Sequence, residues 1–260
     1  MGILNATPDS FSDGGRFLDL EAALSRARTM IAEGADILDI GGESTRPGAA
    51  PVAPGEETDR TAPLIEAIRA ESDIRLSIDT MKPEVAAAAM AAGATIWNDV
   101  TALSWSPESP RIAALLGCEV ILMHMRGDPR TMAGLASYDD VAAEVCAELM
   151  LAVDTAVAAG VEAENLWLDP GLGFAKTPDH SLTLLRRLES FVDLGWPVLL
   201  GASRKRFIRA ADPSAQDAAD RLGGSIAAVL RGAEAGVAAV RVHDVRETVQ
   251  ALAVWEAARP

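Results

Sequence analysis

The 260-residue chain is poor in cysteine, histidine and cationic side chains, and it has no long apolar run. Each shortage removes a class of protein. Two cysteines, Cys118 and Cys146, both in apolar surroundings, make no disulfide scaffold and read as free thiols of a reducing cytoplasm, where the protein is expected to work. Three scattered histidines, with no His-Glu-x-x-His run, form no zinc site. Twenty-three Lys and Arg against 38 Asp and Glu leave a formal charge of −15, the wrong sign for nucleic acid or an anionic membrane surface. An anionic substrate is not excluded, because salt screens surface charges beyond ~8 Å. The longest apolar stretches, such as residues 86–92, fall far short of the roughly 20 residues that cross a bilayer. No basic leader precedes residues 1–5, and Ala6 stands where a myristoylation signal needs Ser or Thr, so neither secretion nor a lipid anchor is expected. A Gly-x-Ser-x-Gly elbow is missing. Residues 171–173 lack the third glycine of a dinucleotide loop, and residues 175–177 lack the P-loop glycine. With no linker and no low-complexity segment, residues 1–260 are expected to form one domain.

What is present is a repeating logic. An Ala-rich stretch with helical apolar spacing ends in a glycine, and a short apolar run follows. Gly34, Gly93, Gly117, Gly160, Gly195 and Gly236 each occupy that junction. A glycine there fits the left-handed position that closes a helix. Continuous apolar runs suit parallel strands covered on both faces. With residues 2–5 and 75–79 added, eight strands are predicted. Eight helices alternate with them, at 20–33, 56–70, 83–92, 107–116, 139–159, 179–188, 217–235 and 245–258, with Pro83 and Pro107 in first turns. Strict βα alternation at close to 250 residues predicts an α/β fold, a single (β/α)₈ TIM barrel.

Every predicted strand ends in polar residues: Asn5, the 41–47 segment, Asp79, Asn98 with Asp99, His124 with Arg126, Asp169, the 203–206 segment, and Arg241 with His243. In this fold that end of the barrel carries the active site. A lone Asp at a strand end is more often a helix cap or loop ligand than a catalyst, and Asp99, Asp179 and Asp244 are read that way. Capping needs no cation, however. Arg46, Arg126, Lys176, Arg204, Lys205, Arg206, Arg241 and His243 are all expected at one rim, where they would suit a di- or trianionic ligand. Trp97, Trp167 and Trp196 are read as core or helix-packing residues.

The motifs, taken together, resemble those of the dihydropteroate synthases. Residues 1–15 are similar to the family's opening segment and residues 39–48 to its second loop. Residues 77–80, 97–100, 123–127, 169–174, 203–205 and 241–244 follow in the family's order, so the resemblance spans essentially the whole chain. It implies a transferase of folate biosynthesis. A dihydropterin carrying a CH₂–O–diphosphate loses diphosphate, and the aryl amine of p-aminobenzoate takes its place, giving dihydropteroate. By motif match Asp169, Asn98, Asp79, Lys205 and Met123 hold the pterin, while Thr45, Arg241 and His243 hold its diphosphate. Asp79, Lys205, Arg241 and His243 are the implied catalytic residues. Asn5 is the implied ligand of Mg²⁺, which is expected to bind together with the diphosphate. Phe11, Asp13, Arg46, Pro47, Phe174 and Arg206 are implied for the p-aminobenzoate pocket. The family also implies a homodimer, through the helices of residues 217–258. Ala175 and Arg209 depart from it, each standing where glycine is common. Two further readings share the barrel: a pterin-binding methyltransferase, against which residues 203–205 and 241–243 speak, and a binding-only paralogue.

Overall fold

The computed structural model describes residues 1–6, 16–44, 50–128 and 130–259, the first four residues of α1 by backbone alone. Strands and helices alternate in chain order: β1 Gly2–Asn5, α1 Arg16–Ala32, β2 Ile37–Gly41, α2 Pro54–Glu71, β3 Arg75–Asp79, α3 Pro83–Ala91, β4 Ile96–Asp99 and α4 Ser109–Leu116. The second half runs β5 Glu119–Met123, α5 Val141–Ala158, β6 Leu166–Asp169, α6 Pro178–Arg186, α7 Glu189–Val192, β7 Leu199–Leu200, α8 Arg206–Ala211, α9 Leu222–Ala235, β8 Ala239–Val240 and α10 Val245–Ala257. Strands β1 to β6 pair in sequence order, all parallel, and β7 pairs with β8. Single parallel bridges join the two sheets at both seams, Leu168 with Val198 and Gly2 with Val242. The second seam is reinforced by Ile3 N–H to Val242 O at 2.9 Å and Val242 N–H to Met1 O at 3.0 Å. The ring of eight strands therefore closes into the barrel that the alternation predicts.

Side chains alternate across each strand, and here the alternation separates three environments. Leu38, Ile40, Leu76, Ile78, Trp97, Val120, Leu122, Leu166 and Leu168 pack outward against helix residues such as Ala27, Leu64, Ile65, Val85 and Ala89. Met1, Ile37, Ile96, Ile121 and Leu199 form a separate apolar cluster inside the barrel. Near the N-terminal ends of the strands, Arg75 donates to Glu119 at 2.5 Å, and Trp167 Nε1 donates to the same carboxylate at 2.8 Å. Nearer the C-terminal ends the inward positions include the polar Asp39, Ser77, Asp79, Asn98 and Asp169, with the apolar Ile3 and Met123 among them. Trp97 is fully buried on the helix side and donates to Thr80 O at 2.8 Å, while Trp196 donates to Ala163 O on the outer surface. No helix among the described residues is long and apolar enough to cross a membrane.

The six junction glycines all take positive φ, between 60° and 112°. Several expected boundaries change. Helix α6 starts at Pro178, capped by Thr177 in a reciprocal box with His180, so Asp179 is a first-turn acid and not the cap. Helix α4 starts at Ser109 with Pro110 in its first turn, which leaves Pro107 in the preceding turn. The segment 217–235 splits into a 3₁₀ turn, Ala218–Arg221, and α9, within which Gly224 lies so close to Ile208 that a Cβ there would meet its side chain at 2.4 Å. Helices α7 and α8 are additional, and β7 and β8 are shorter than expected.

After β6 the backbone turns sharply at Gly171, φ +65°, where a Cβ would sit 2.0 Å from His124 O. Further on, Ala175 is held at φ +48°, a conformation that glycine would adopt freely. Gly117, φ +60°, closes α4 with nothing within 4 Å of its Cβ position. Gly117→Ala is expected to lower stability by about 1–2 kcal/mol, the left-handed cost alone. Gly171→Ala adds a backbone clash and is expected to cost roughly 2–5 kcal/mol. Urea unfolding of the pair tests this; equal losses would show that the close approach at Gly171 carries no energy.

Candidate active site

The register of the sheet assembles the site. Asn5 aligns with Gly41, Gly41 with Asp79, and Asp79 with Asn98, so three strands present their last residue and β4 its next-to-last in one row. Met123 aligns with Asp169 on the opposite wall. Arg241 enters from the end of β8, and its backbone N–H bonds Leu200 O at 3.0 Å. From there its guanidinium crosses to β2 and β3. Nε donates to Asp39 Oδ2 at 2.5 Å, and a terminal nitrogen donates to Asp79 Oδ2 at 2.6 Å. Asn98 Nδ2 donates to the same Asp39 oxygen at 3.1 Å. Oδ1 of Asp39 and Oδ1 of Asp79 are both buried without a hydrogen-bond partner.

A second group faces this one. Asp169 is buried and accepts from Gly171 N–H at 2.7 Å. Lys205 Nζ donates to Leu172 O and lies 4.8 Å from the centre of the Phe174 ring. A Cβ on Gly201 would lie 3.6 Å from Asp169 Oδ2 and 3.7 Å from Lys205 Nζ, so the carboxylate and the ammonium converge over a glycine. Met123 is buried with Met81 and Val100, with Phe174 packed against them. His243 is fixed by Ser203, whose hydroxyl lies 3.0 Å from Nδ1. Lys205 lies in a turn in which Arg204 is held at φ +57°.

Burial sets the electrostatics. Burial raises Asp79 to about 7, helped by the charge of Asp39 and opposed by Arg241. Burial also raises Asp169, against the pull of Lys205. Lys205 is lowered to about 8 by burial, with Asp169 opposing. Burial acts to lower Arg241, but Asp39 and Asp79 outweigh it and hold the guanidinium charged. Counted formally, three carboxylates (Asp39, Asp79, Asp169) face two cations (Arg241, Lys205). The pocket floor is acidic.

That result corrects the expected crowd of unpaired cations. Arg126 is bound to Glu144 and Glu148 and lies 4.0 Å from the Tyr138 ring centre. Arg204 pairs with Asp244, which makes no side-chain cap on α10. Lys176 donates to His124 Nδ1 at 2.8 Å and to the carbonyl oxygens of His124 and Phe174. Those three cations brace the loops and are not offered to a ligand. Arg206 is exposed at the start of α8. Asp99 accepts from the Thr101 and Leu103 backbone, as a loop ligand. Phe11, Asp13, Thr45, Arg46 and Pro47 lie outside the described residues.

Sequence reasoning missed Asp39 as a site residue. Its signal was available: an acid inside an otherwise apolar strand, two residues before Gly41 and therefore on the same face as the rim.

Beside the pocket, His124 accepts from Lys176 at Nδ1 and meets Glu148 at Nε2, 2.8 Å away. Burial, then the Lys176 charge, lowers it to about 4, so it is neutral in the fold and protonates more readily when unfolded. The folded value lies below the unfolded one, so stability is lost as pH falls from about 6.5 toward 4. Between pH 7 and pH 5 His124 contributes a loss of roughly 2 kcal/mol. Urea unfolding of the wild type and His124→Asn across that range is expected to show a shallower pH slope in the variant; parallel slopes would refute the assignment.

The chain matches the family model described as pterin binding enzyme over residues 1–243. It is 47% identical over 258 residues to the dihydropteroate synthase of Synechocystis sp., covering 99% of this chain and 89% of that protein. It is 46% identical over 260 residues to that of Escherichia coli K12, covering 99% and 90%. Among solved structures, the Xanthomonas albilineans dihydropteroate synthase with 4-aminobenzoic acid superposes with a TM-score of 0.93 at 46% identity, covering 100% and 93%. The same enzyme in complex with 7,8-dihydropteroate gives 0.89 at 44% identity, with the same coverage.

Proposed function

The chain belongs to the pterin-binding enzyme family, and on that premise we propose that it performs the dihydropteroate synthase reaction, joining p-aminobenzoate to a dihydropterin with loss of diphosphate. The observation that carries the reading is the acidic, desolvated floor of Asp39, Asp79 and Asp169 with Arg241 and Lys205 set into it. In the reaction a C–O bond to diphosphate breaks, the pterin methylene carbon becomes electron-poor, and a C–N bond to the aryl amine forms. A fixed negative field stabilises that carbon without reorganisation. Asp79, with a buried and unpartnered Oδ1, supplies it.

Asp169 grips the guanidine-like edge of the pterin with its carboxylate, and Asn98 offers the mixed donor and acceptor that a heterocycle edge needs. Met123 packs on the ring, and Lys205 donates to a ring acceptor. Arg241 retains free N–H donors beyond those held by Asp39 and Asp79, and with His243 it meets the departing diphosphate, joined by Thr45. Phe11, Asp13, Arg46, Pro47, Phe174 and Arg206 complete the p-aminobenzoate pocket. The donor set near Asn5 fits Mg²⁺ as a sparse site. Gly41 leaves space between Asn5 Oδ1 and the Asp79 carboxylate, and among the described residues no three His, Cys, Asp or Glu are placed to hold a metal ion by themselves. Mg²⁺ takes few protein ligands when phosphate and water fill its octahedron; bound there, it would neutralise the leaving group. The reading takes residues 1–260 as one catalytic domain acting in the cytoplasm as a homodimer, with exposed Val249 and Val254 on its proposed interface.

A diphosphate-release assay with the hydroxymethyl-dihydropterin diphosphate, Mg²⁺ and p-aminobenzoate is expected to show turnover; none above background at saturating substrate would sink the reading. Asp169→Asn removes the charged acceptor and is expected to weaken pterin binding by ~1.5–3 kcal/mol. Unchanged pterin affinity by calorimetry would show that another residue anchors the ring.

A further inference from the structure

We propose that Asp39, which the reaction chemistry does not call for, is the positioning residue of the pterin pocket, fixing which atoms of Arg241 and Asn98 face the ligand. The proposal rests on the pterin reading above. Asp39 is completely buried in the middle of β2, pointing into the barrel. One of its oxygens takes both Arg241 Nε–H and an Asn98 amide N–H, and the other takes no donor at all. A carboxylate carries a large desolvation cost in such a place unless cations and donors surround it. This one is not saturated for its own sake.

The effect on its two neighbours is specific. An amide in a pocket can turn either way, presenting C=O or NH₂. A carboxylate oxygen can only accept, so Asp39 forces Asn98 Nδ2 inward and turns its carbonyl away in a fixed sense. A guanidinium has five N–H bonds. Asp39 occupies the one on Nε, and Asp79 takes one on a terminal nitrogen, which leaves the far edge of the fork for a ligand. Arg241 comes from β8, Asn98 from β4 and Asp79 from β3, so Asp39 on β2 sets a common orientation for groups that the chain brings from distant positions. Arg241 and Asn98 touch ligand in this scheme; Asp39 acts through them.

Asp39→Asn keeps the size and removes the charge. The Asp39–Arg241–Asp79 trio then goes from one excess negative charge to none, so no unpaired buried ion is created. The variant is expected to stay folded, as checked by circular dichroism and thermal unfolding. The pterin diphosphate Kd and KM are expected to rise roughly tenfold, which corresponds to about 1.4 kcal/mol, while the p-aminobenzoate KM stays within about twofold. Unchanged pterin affinity in the folded variant overturns the proposal, and so does an equal loss for both substrates, which marks general loosening. The wild-type chain gives a second readout that needs no folded variant. The Arg241 Nε–H resonance, assigned by its loss in Arg241→Lys, is expected to exchange slowly with water in the ligand-free protein; rapid exchange overturns the contact. A wild type without turnover sinks the function reading whatever Asp39 does, whereas wild-type turnover with an indifferent Asp39→Asn sinks this inference alone.

Discussion

The site depends on a single guanidinium shared between two carboxylates. Arg241 reaches from the last strand of the barrel to Asp39 on the second and Asp79 on the third, so the seam where the chain's two ends meet is also where its charges are neutralised. Such a trio is a poor source of stability, because taking ions out of water costs as much as their attraction returns. Its value is geometric. Removing Arg241 would strand two buried carboxylates, at a cost of about 3–5 kcal/mol, so the ends of β2, β3 and β8 hold one arrangement. Asn98, tied to Asp39, extends that arrangement to β4.

The charge sign of the pocket follows from how the other cations are used. Arg126, Lys176 and Arg204 brace the loops around the mouth through Glu148, His124 and Asp244, and only Arg241 and Lys205 reach the floor among the described cations. The strongly acidic composition is thus matched, not offset, at the site. In the proposed reaction a cation developing on a substrate carbon would meet a negative field, and the diphosphate would leave toward the edge where Arg241 still has donors.

The barrel was legible because its signal is periodic. Six glycines mark six helix ends, and each sits at positive φ. The rim was legible because polar residues interrupt apolar strands at their ends, as at Asn5, Asp79, Asn98 with Asp99, and Asp169. What sequence did not carry was pairing. Arg126 and Arg204 read as ligand-facing cations because their counter-ions, Glu148 and Asp244, lie 22 and 40 residues away in the chain. Asp39 was overlooked for the converse reason. It sits two residues inside its strand, and only the inward parity it shares with Gly41 shows that it belongs to the pocket and not to the core. Asp179 looked like a cap until Thr177 and His180 were seen to close the box.

The apolar cluster of Met1, Ile37, Ile96, Ile121 and Leu199, with Arg75, Glu119 and Trp167 beyond it, stops the barrel like a cork. Among the described residues that end is filled, which leaves the opposite end, where the strands carry their polar residues, as the way to the floor. A molecule that reaches the floor beside Asp39 and Asn98 therefore comes in past the strand ends that carry Asn5, Gly41 and Asp79.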